Sequence, residues 1–177
     1  SAKLCENFLS TIININKYPL TKLSSLTSSE MAKIMENSYR AVNIAFIEEW
    51  ARFSEKIGTN SFEIINAIRK RPTHNNIRQP GFGVGGYCLT KDPYFASLSA
   101  RQLFNIKNLK FPFSELGVST NDKMPIENIK ILKKVIKTFK NKNILLLGAT
   151  YRSEVDDLRN SPSETFVSEI LKLGAKV

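Results

Sequence analysis

The sequence predicts a mainly α-helical chain whose last part begins an α/β fold. Three patterns support this: a capped apolar repeat from Thr27 to about Ile57, a second apolar helical stripe after Pro125, and an abrupt change to the short apolar run 143–148. The run is typical of a buried strand, and a helix to about Leu173 follows it. One strand–helix unit cannot bury both faces of a parallel sheet, so we expect the chain to stop inside an α/β domain.

Length and composition favour an ordinary globular protein. The chain has 177 residues, of which 42% are hydrophobic and 24% are charged. We expect no membrane span and no secretory leader, because no run approaches the roughly 20 apolar residues that a span needs. Two cysteines cannot form a disulfide framework, which favours a reducing cytoplasm. One histidine and no paired ligand spacing predict no metal site.

The net charge of +10 leaves several partners open. Nucleic acid, an anionic membrane surface and a phosphorylated small molecule would all suit it. A nucleic-acid module needs exposed aromatic residues among the lysines, whereas here the lysines lie opposite an apolar stripe. A solvated helix face is therefore favoured for the basic residues Lys130, Lys133, Lys134, Lys137, Lys140, Lys142, Arg152 and Arg159.

Local signals predict the ends of the long helix. Thr27 and Glu30 match a capping box, in which each side chain bonds the other's backbone amide. Gly58 is suited to end the helix in a left-handed conformation. Its apolar side is predicted to comprise Ile34, Ala41, Val42, Ala45 and Phe46.

Shorter helices are predicted on either side of an irregular segment. Asn60 suits the cap of a helix over about 61–70 that buries Phe62, Ile65 and Ile68. A further helix is expected from about Pro93 to Leu103, and Pro125 suits the first turn of the next. The stripe of that helix is Ile126, Ile129, Leu132, Val135, Ile136 and Phe139.

The segment 81–86 matches the dinucleotide pattern G-x-G-x-x-G literally. That fingerprint requires a hydrophobic strand before it and a helix after it that holds the pyrophosphate. Residues 76–80 are no such strand, and Cys88 follows almost at once. We therefore interpret the glycines as allowing close backbone approach or positive φ.

Cys88 is the candidate nucleophile of this glycine-rich loop. The alternative is that it is a small buried hydrophobic residue, which is the commoner fate of a cysteine. Lys91 lies nearby, and positive charge near a thiol favours the reactive thiolate. Asp92 is close enough to orient or deprotonate a water molecule.

Lys33 and Asn37 are four residues apart on the long helix and so share one face. Together they can donate hydrogen bonds to a developing oxyanion. The alternative is a solvated helix face. Arg40 is placed to pair with Glu36 in a purely local ion pair.

Four blocks of the sequence, in order, resemble the UDP-glucose/GDP-mannose dehydrogenase family. Residues 30–49 are similar to its central helix and residues 80–95, around Cys88, to its catalytic loop. Residues 121–125 resemble the start of its linking helix, and residues 147–162 the opening of its C-terminal nucleotide-sugar domain. The four blocks together cover nearly the whole chain.

The resemblance implies a two-step, NAD-dependent oxidation of a UDP-sugar C6 alcohol to a carboxylate. Cys88 would attack the intermediate aldehyde to form a thiohemiacetal, which becomes a thioester that water hydrolyses. Lys33 matches the family lysine that stabilises the oxyanion, and Asn37 the asparagine beside it. Asp92 matches the aspartate that assists proton transfer and water attack.

The resemblance also implies substrate contacts. Gly85 and Tyr87 match the loop that holds the sugar and diphosphate, and Arg152 stands where the family usually carries lysine. The loop variants look similar to members that oxidise UDP-N-acetyl-hexosamines. An arginine that reaches a neighbouring subunit is usual near Pro72, where Arg71 and His74 lie without aligning cleanly.

The resemblance divides the chain into four segments. Residues 1–26 would be a remnant of the NAD-binding domain, 27–120 the central helical domain, 121–142 the linking helix, and 143–177 the truncated start of a Rossmann-like α/β domain. We expect the helical domain to form a homodimer. Without its NAD-binding domain the chain alone is expected to be inactive, and a non-catalytic helical dimerisation fragment stays an alternative.

Overall fold

The computed structural model describes residues 2–177. In these residues the elements are α1 (Ala2–Ser10), α2 (Leu26–Ile57), α3 (Ser61–Ile68), a short 3₁₀ turn (Pro72–His74), α4 (Cys88–Gln102), α5 (Pro112–Val135) and α6 (Pro162–Lys172). No β-strand forms within 2–177, which confirms the mainly α-helical prediction. No helix in this range is both long enough and apolar enough to cross a bilayer.

The chain divides into two compact units, the first ending at Lys33 and the second running from Ile34 to Val177. The first unit contains α1 and the first turns of α2. Ser25 caps α2, because its hydroxyl accepts a 3.0 Å hydrogen bond from the Ser28 amide. The capping box predicted at Thr27 is therefore wrong, since the helix begins before that residue.

The signals at the end of α2 are confirmed. Gly58 has a φ of 73°, and the next amide donates to the Ser54 carbonyl at 2.9 Å. The Asn60 side chain accepts from the first amides of α3, at 3.0 and 3.4 Å. On α3, Ile65 is buried as expected, but Phe62 is 48% exposed, so its predicted inward orientation is wrong.

Two prolines lie inside helices rather than at their starts. Helix α4 begins at Cys88 and contains Pro93, and α5 begins at Pro112 and contains Pro125. The starts predicted at Pro93 and Pro125 are thus wrong. Each internal proline forfeits one helical hydrogen bond. Both rings are less than 2% exposed, so burial in the core compensates for that loss.

The main core of the second unit lies between α5 and α6. It is built on Ile129, Phe139, Phe166, Ile170 and Ala175, with Phe82, Ile126, Leu132, Ile136, Ile144, Leu146 and Leu173 packed against them. Ile126, Ile129 and Leu132 of the predicted stripe pack in this core, whereas Val135 is 79% exposed. Helix α5 ends at Val135, so Ile136 and Phe139 reach the core from beyond the helix, and their predicted place on it is wrong.

The predicted strand 143–148 forms one isolated parallel bridge, between Asn143 and Lys176. The Ile144 amide donates to the Lys176 carbonyl at 2.8 Å. Leu145 and Leu147 are 83% and 86% exposed, so the expectation of a fully buried strand is wrong. One face of this extended segment packs on the core, and its successive side chains therefore alternate between core and solvent.

Candidate functional site

The glycine-rich loop 81–87 is anchored to the helices that surround it. The Phe82 ring packs edge-on against Phe166 of α6, with the ring centroids 5.0 Å apart. At Val84, the side chain of Asn121 on α5 accepts from the amide and donates to the carbonyl, both at 2.8 Å. These contacts fix the position of the loop that precedes α4.

A third anchor joins the loop to the segment before α6. The Gly86 amide donates to the Arg159 carbonyl at 2.9 Å, and the Asn160 side chain donates to the Gly86 carbonyl at 3.1 Å. A Cβ at Gly85 would lie 2.4 Å from the Asn160 carbonyl oxygen and 2.7 Å from the Tyr151 Cβ. Glycine is required at position 85 by this close approach.

Cys88 is the first residue of α4, and its thiol is free and exposed. The alternative that it is a buried hydrophobic residue is wrong. The first amides of an α-helix have no partner within the helix, and a helix N-terminus attracts negative charge. The thiol therefore lies at a helix N-terminus and is open to solvent.

Asp92 lies one turn after Cys88 on the same face of α4. Its Oδ2 accepts a 2.7 Å hydrogen bond from the Asn37 side-chain amide, and its Oδ1 lies 3.7 Å from the Lys91 ammonium. These contacts hold the carboxylate in place beside the thiol. Helices α2 and α4 thus meet at the predicted catalytic residues.

Asn37 is fully buried, so the interpretation of this position as a solvated helix face is wrong. Its side-chain oxygen accepts from the guanidinium of Arg40, while its nitrogen holds Asp92. Arg40 also pairs with Glu36 at 3.9 Å, as predicted. Asn37 therefore acts on Asp92, and direct donation to an oxyanion stays a prediction. Lys33 is exposed and lies four residues earlier on α2, within the first unit.

Tyr87 is 51% exposed and lies between two cations. The Arg159 guanidinium carbon lies 4.6 Å from its ring centroid and the Lys91 ammonium 5.2 Å. Arg159 in turn pairs with Asp157, and its hydrogen bonds lower the pKa of that carboxyl to about 2. The ring therefore contacts two cations next to Cys88 in the sequence, and each cation is itself paired with a carboxylate.

A cleft of about 290 Å³ opens beside the loop. Its lining consists of Arg40, Ile44, Arg78, Gln79, Gly81, Gly83, Val84, Leu89 and Met124. Two guanidinium groups make it suited to an anionic ligand. Arg152, the third predicted substrate contact, is exposed, and its carbonyl accepts from the Thr150 hydroxyl at 2.9 Å.

Sequence reasoning missed the residues that hold the loop, Asn121 and Asn160. Asn121 carried a usable signal, because it interrupts the buried stripe of α5 between Val118 and Met124. A polar residue at a core position is usually kept for a hydrogen bond. Asn160 lies in an irregular segment with a φ of 53° and has no such pattern around it.

The loop does not fit a dinucleotide. Within residues 2–177 no strand precedes it, and Gly85 and Gly86 face Tyr151 and Asn160 rather than open space. In the same range, no three His, Cys, Asp or Glu side chains are grouped as a metal site requires.

Comparison with known proteins identifies the family. The family model described as the central domain of the UDP-glucose/GDP-mannose dehydrogenase family matches residues 27–123. The chain belongs to this family. A relative named UDP-N-acetyl-D-mannosamine dehydrogenase, from Methanocaldococcus jannaschii, is 36% identical over 177 residues. The match covers all of this chain but 38% of the relative, so the chain spans little more than a third of that protein.

Solved structures of the same family share the fold. The UDP-D-ManNAc dehydrogenase of Pyrococcus horikoshii is 35% identical with a TM-score of 0.72, over 85% of this chain and 35% of that one. The NDP-N-acetyl-D-galactosaminuronic acid dehydrogenase of Methanosarcina mazei is 30% identical with a TM-score of 0.75, over 86% of this chain and 34% of that one. The names of these dehydrogenases refer to two different N-acetylated sugars.

Proposed function

We propose that the chain is the central part of an NAD-dependent nucleotide-sugar 6-dehydrogenase that oxidises the C6 alcohol of a UDP-N-acetyl-hexosamine to a carboxylate. The observation that carries the proposal is the 2.7 Å bond from Asn37 to Asp92, one helical turn from the exposed thiol of Cys88. The names of the relatives support the substrate class, and the two guanidiniums of the cleft suit an anionic substrate.

In this proposal the Cys88 thiolate adds to the C6 aldehyde, forming a carbon–sulfur bond and an alkoxide. Lys33 donates to that alkoxide. Loss of a hydride from the same carbon, for which NAD would be the acceptor, converts the thiohemiacetal into the thioester. A water molecule then attacks the acyl carbon, Asp92 accepts the proton of the water, and the thiolate leaves. Asn37 keeps Asp92 in position for this transfer.

Gly85, Tyr87 and Arg152 are proposed to contact the nucleotide sugar, with Tyr87 and its cations facing the negative charge of the diphosphate. The glycine-rich loop does not fit a dinucleotide. The proposal therefore places NAD outside the described residues. It follows that this chain, incubated with NAD and UDP-N-acetyl-mannosamine, should form no NADH, and sustained NADH formation would contradict that part of the proposal.

A chimera tests the chemistry. The 177-residue chain replaces the matched segment of the M. jannaschii relative, and NADH formation is followed with UDP-N-acetyl-mannosamine. Activity is expected in the chimera and in its Cys5→Ser control, because Cys5 lies on α1, outside the proposed site. Cys88→Ser should abolish it, since a hydroxyl forms no thioester. A Cys88→Ser chimera with undiminished turnover would refute the thioester route.

We further propose that α2 mediates a homodimer. An exposed apolar stripe runs along it, with spacings of four, three and four residues from Phe46 to Ile57, and such spacing is typical of helix–helix seams. The exposed members are Tyr39, Phe46, Trp50, Phe53 and Ile57, each between 51% and 55% exposed. The centroid of the Trp50 ring lies 6.2 Å from that of Phe46, with the rings tilted by 56°, and 6.1 Å from that of Phe53 in an edge-on contact.

Light scattering of the purified chain tests the dimer. The expected mass is twice that of the chain, and Trp50→Glu should halve it by placing a charge in the seam. Phe62→Glu is the matched control, because Phe62 is an aromatic residue of similar exposure on α3. A monomeric unmodified chain at high concentration would count against the dimer.

A further inference from the structure

The side chain of Asn121 pairs with both backbone groups of Val84. Its nitrogen donates to the Val84 carbonyl and its oxygen accepts from the Val84 amide, each at 2.8 Å. Of the common side chains, only a carboxamide presents an uncharged donor and acceptor at the spacing of a peptide group. Asn121 is 8% exposed, so neither group of Val84 has easy access to water as a substitute partner.

The part of α5 that follows Asn121 is tightly packed. Met124 and Pro125, which follow Asn121 on α5, are both less than 2% exposed. A Cβ at Gly83 would lie 3.5 Å from the Asn121 carbonyl and 3.6 Å from the Met124 Cβ, so the loop backbone lies directly on the helix. The position of Val84 is therefore set by a well-packed part of the core.

The loop transmits this position to the thiol over a short path. Three residues separate Val84 from Cys88. The Thr90 hydroxyl in the first turn of α4 donates to the Gly86 carbonyl at 2.7 Å. A shift at Val84 thus moves the loop that begins α4. Because Cys88 is the first residue of that helix, its thiol changes its position relative to the first-turn amides.

We propose that Asn121 is a positioning residue for Cys88, holding the loop so that the thiol sits at an ordered helix N-terminus. This inference rests on the proposed role of Cys88 as the nucleophile. Asn121 touches the loop and not the reacting atoms. It acts through Val84 and the start of α4.

The effect of Asn121 on the Cys88 thiol is measured by alkylation of the 177-residue chain with iodoacetamide. The rate at Cys88 is divided by the rate at Cys5 in the same molecules, with peptide mass spectrometry to separate the two sites. Both thiols are exposed, so access is already open in the unmodified chain. The variants are Asn121→Ala and Asn121→Asp. The Asp variant keeps an acceptor for the Val84 amide, but it replaces the side-chain NH₂ that donates to the Val84 carbonyl with a carboxylate oxygen.

Asn128→Ala is the matched control. Asn128 lies on the same helix, and its side chain donates to the Met124 carbonyl at 2.8 Å rather than to the loop. The Cys88/Cys5 ratio should fall roughly two- to fivefold in both Asn121 variants, which is the size of a helix N-terminal charge effect, and stay unchanged in Asn128→Ala. A merely structural role would lower the melting temperature in all three variants without changing the ratio.

Amide hydrogen exchange keeps the proposal testable if Asn121→Ala unfolds. The Val84 amide must be protected in the unmodified chain and lose protection in Asn121→Asp. Rapid exchange in the unmodified chain overturns the proposal, as does lost protection with an unchanged Cys88/Cys5 ratio. A Cys88 no faster than Cys5 in the unmodified chain contradicts the nucleophile and the positioning role together. If Cys88 reacts faster than Cys5 but the Cys88/Cys5 ratio is unchanged in both Asn121 variants, the positioning role alone is contradicted.

Discussion

Gly85→Ala should destabilise the second unit through one backbone clash. The added Cβ would lie 2.4 Å from the Asn160 carbonyl oxygen and 2.9 Å from the carbon of the same carbonyl. Ordinary contact requires about 3.4 Å or more, so the loop and the segment 151–160 must separate by roughly 1 Å. Backbone atoms of two packed segments cannot yield as a flexible side chain does.

The magnitude follows from what this separation disrupts. Overpacking of a well-packed site costs about 1–3 kcal/mol. The separation also stretches the two hydrogen bonds of Gly86, at 2.9 and 3.1 Å, and each is worth about 0.5–1.5 kcal/mol. The free energy of unfolding should therefore fall by about 2–6 kcal/mol.

Urea denaturation followed by circular dichroism measures this loss, with an unchanged m-value as the sign that the unfolding reaction is the same. Gly81→Ala is the matched control from the same loop, since its Cβ would meet nothing within 4 Å. It should change the free energy of unfolding by no more than about 0.5 kcal/mol. Equal effects of the two substitutions would refute the packing of the loop against 151–160.

Three further substitutions test other contacts. Asn60→Ala removes the cap of α3 and should cost about 1 kcal/mol in urea denaturation, and no loss would show that the cap bonds are not stabilising. Burial raises the pKa of Glu48 above 4.5 despite its bond to Arg52, so the folded state holds that proton more tightly and stability falls as pH rises through the raised pKa. Glu48→Gln should flatten that part of the curve of melting temperature against pH, and an unchanged slope would contradict the burial effect. Asp157 has the opposite sign, because its pKa is lowered to about 2 by Arg159 and its contribution is lost as pH falls from 3.8 toward that value. In Arg159→Ala, NMR titration should return the pKa of Asp157 toward 3.8, and a pKa that stays near its lowered value would contradict the pairing.

Short-range signals in the sequence were sufficient for several elements. The end of α2 near Ile57, the left-handed conformation of Gly58 and the Asn60 cap all agree with the structure. Each depends on residues within one or two helical turns, where the physical preference is local. The resemblance to the family was likewise contained in the order of four sequence blocks, and the matched domain confirms it.

The local preference of proline for a helix start gave wrong predictions at two positions where the proline ring is buried. Proline favours the first turn of a helix, and that rule placed the starts of α4 and α5 at Pro93 and Pro125. Both rings are instead buried within longer helices. The earlier start makes Cys88 the first residue of α4.

The sequence by itself determined the helical class, the family and the identity of the candidate residues around Cys88. Tertiary structure alone decided which of them meet. Asn37 and Asp92 are 55 positions apart, and Val84 and Asn121 are 37 apart. No periodic pattern connects such positions, since each bond forms only after separate helices have packed and excluded water from both partners.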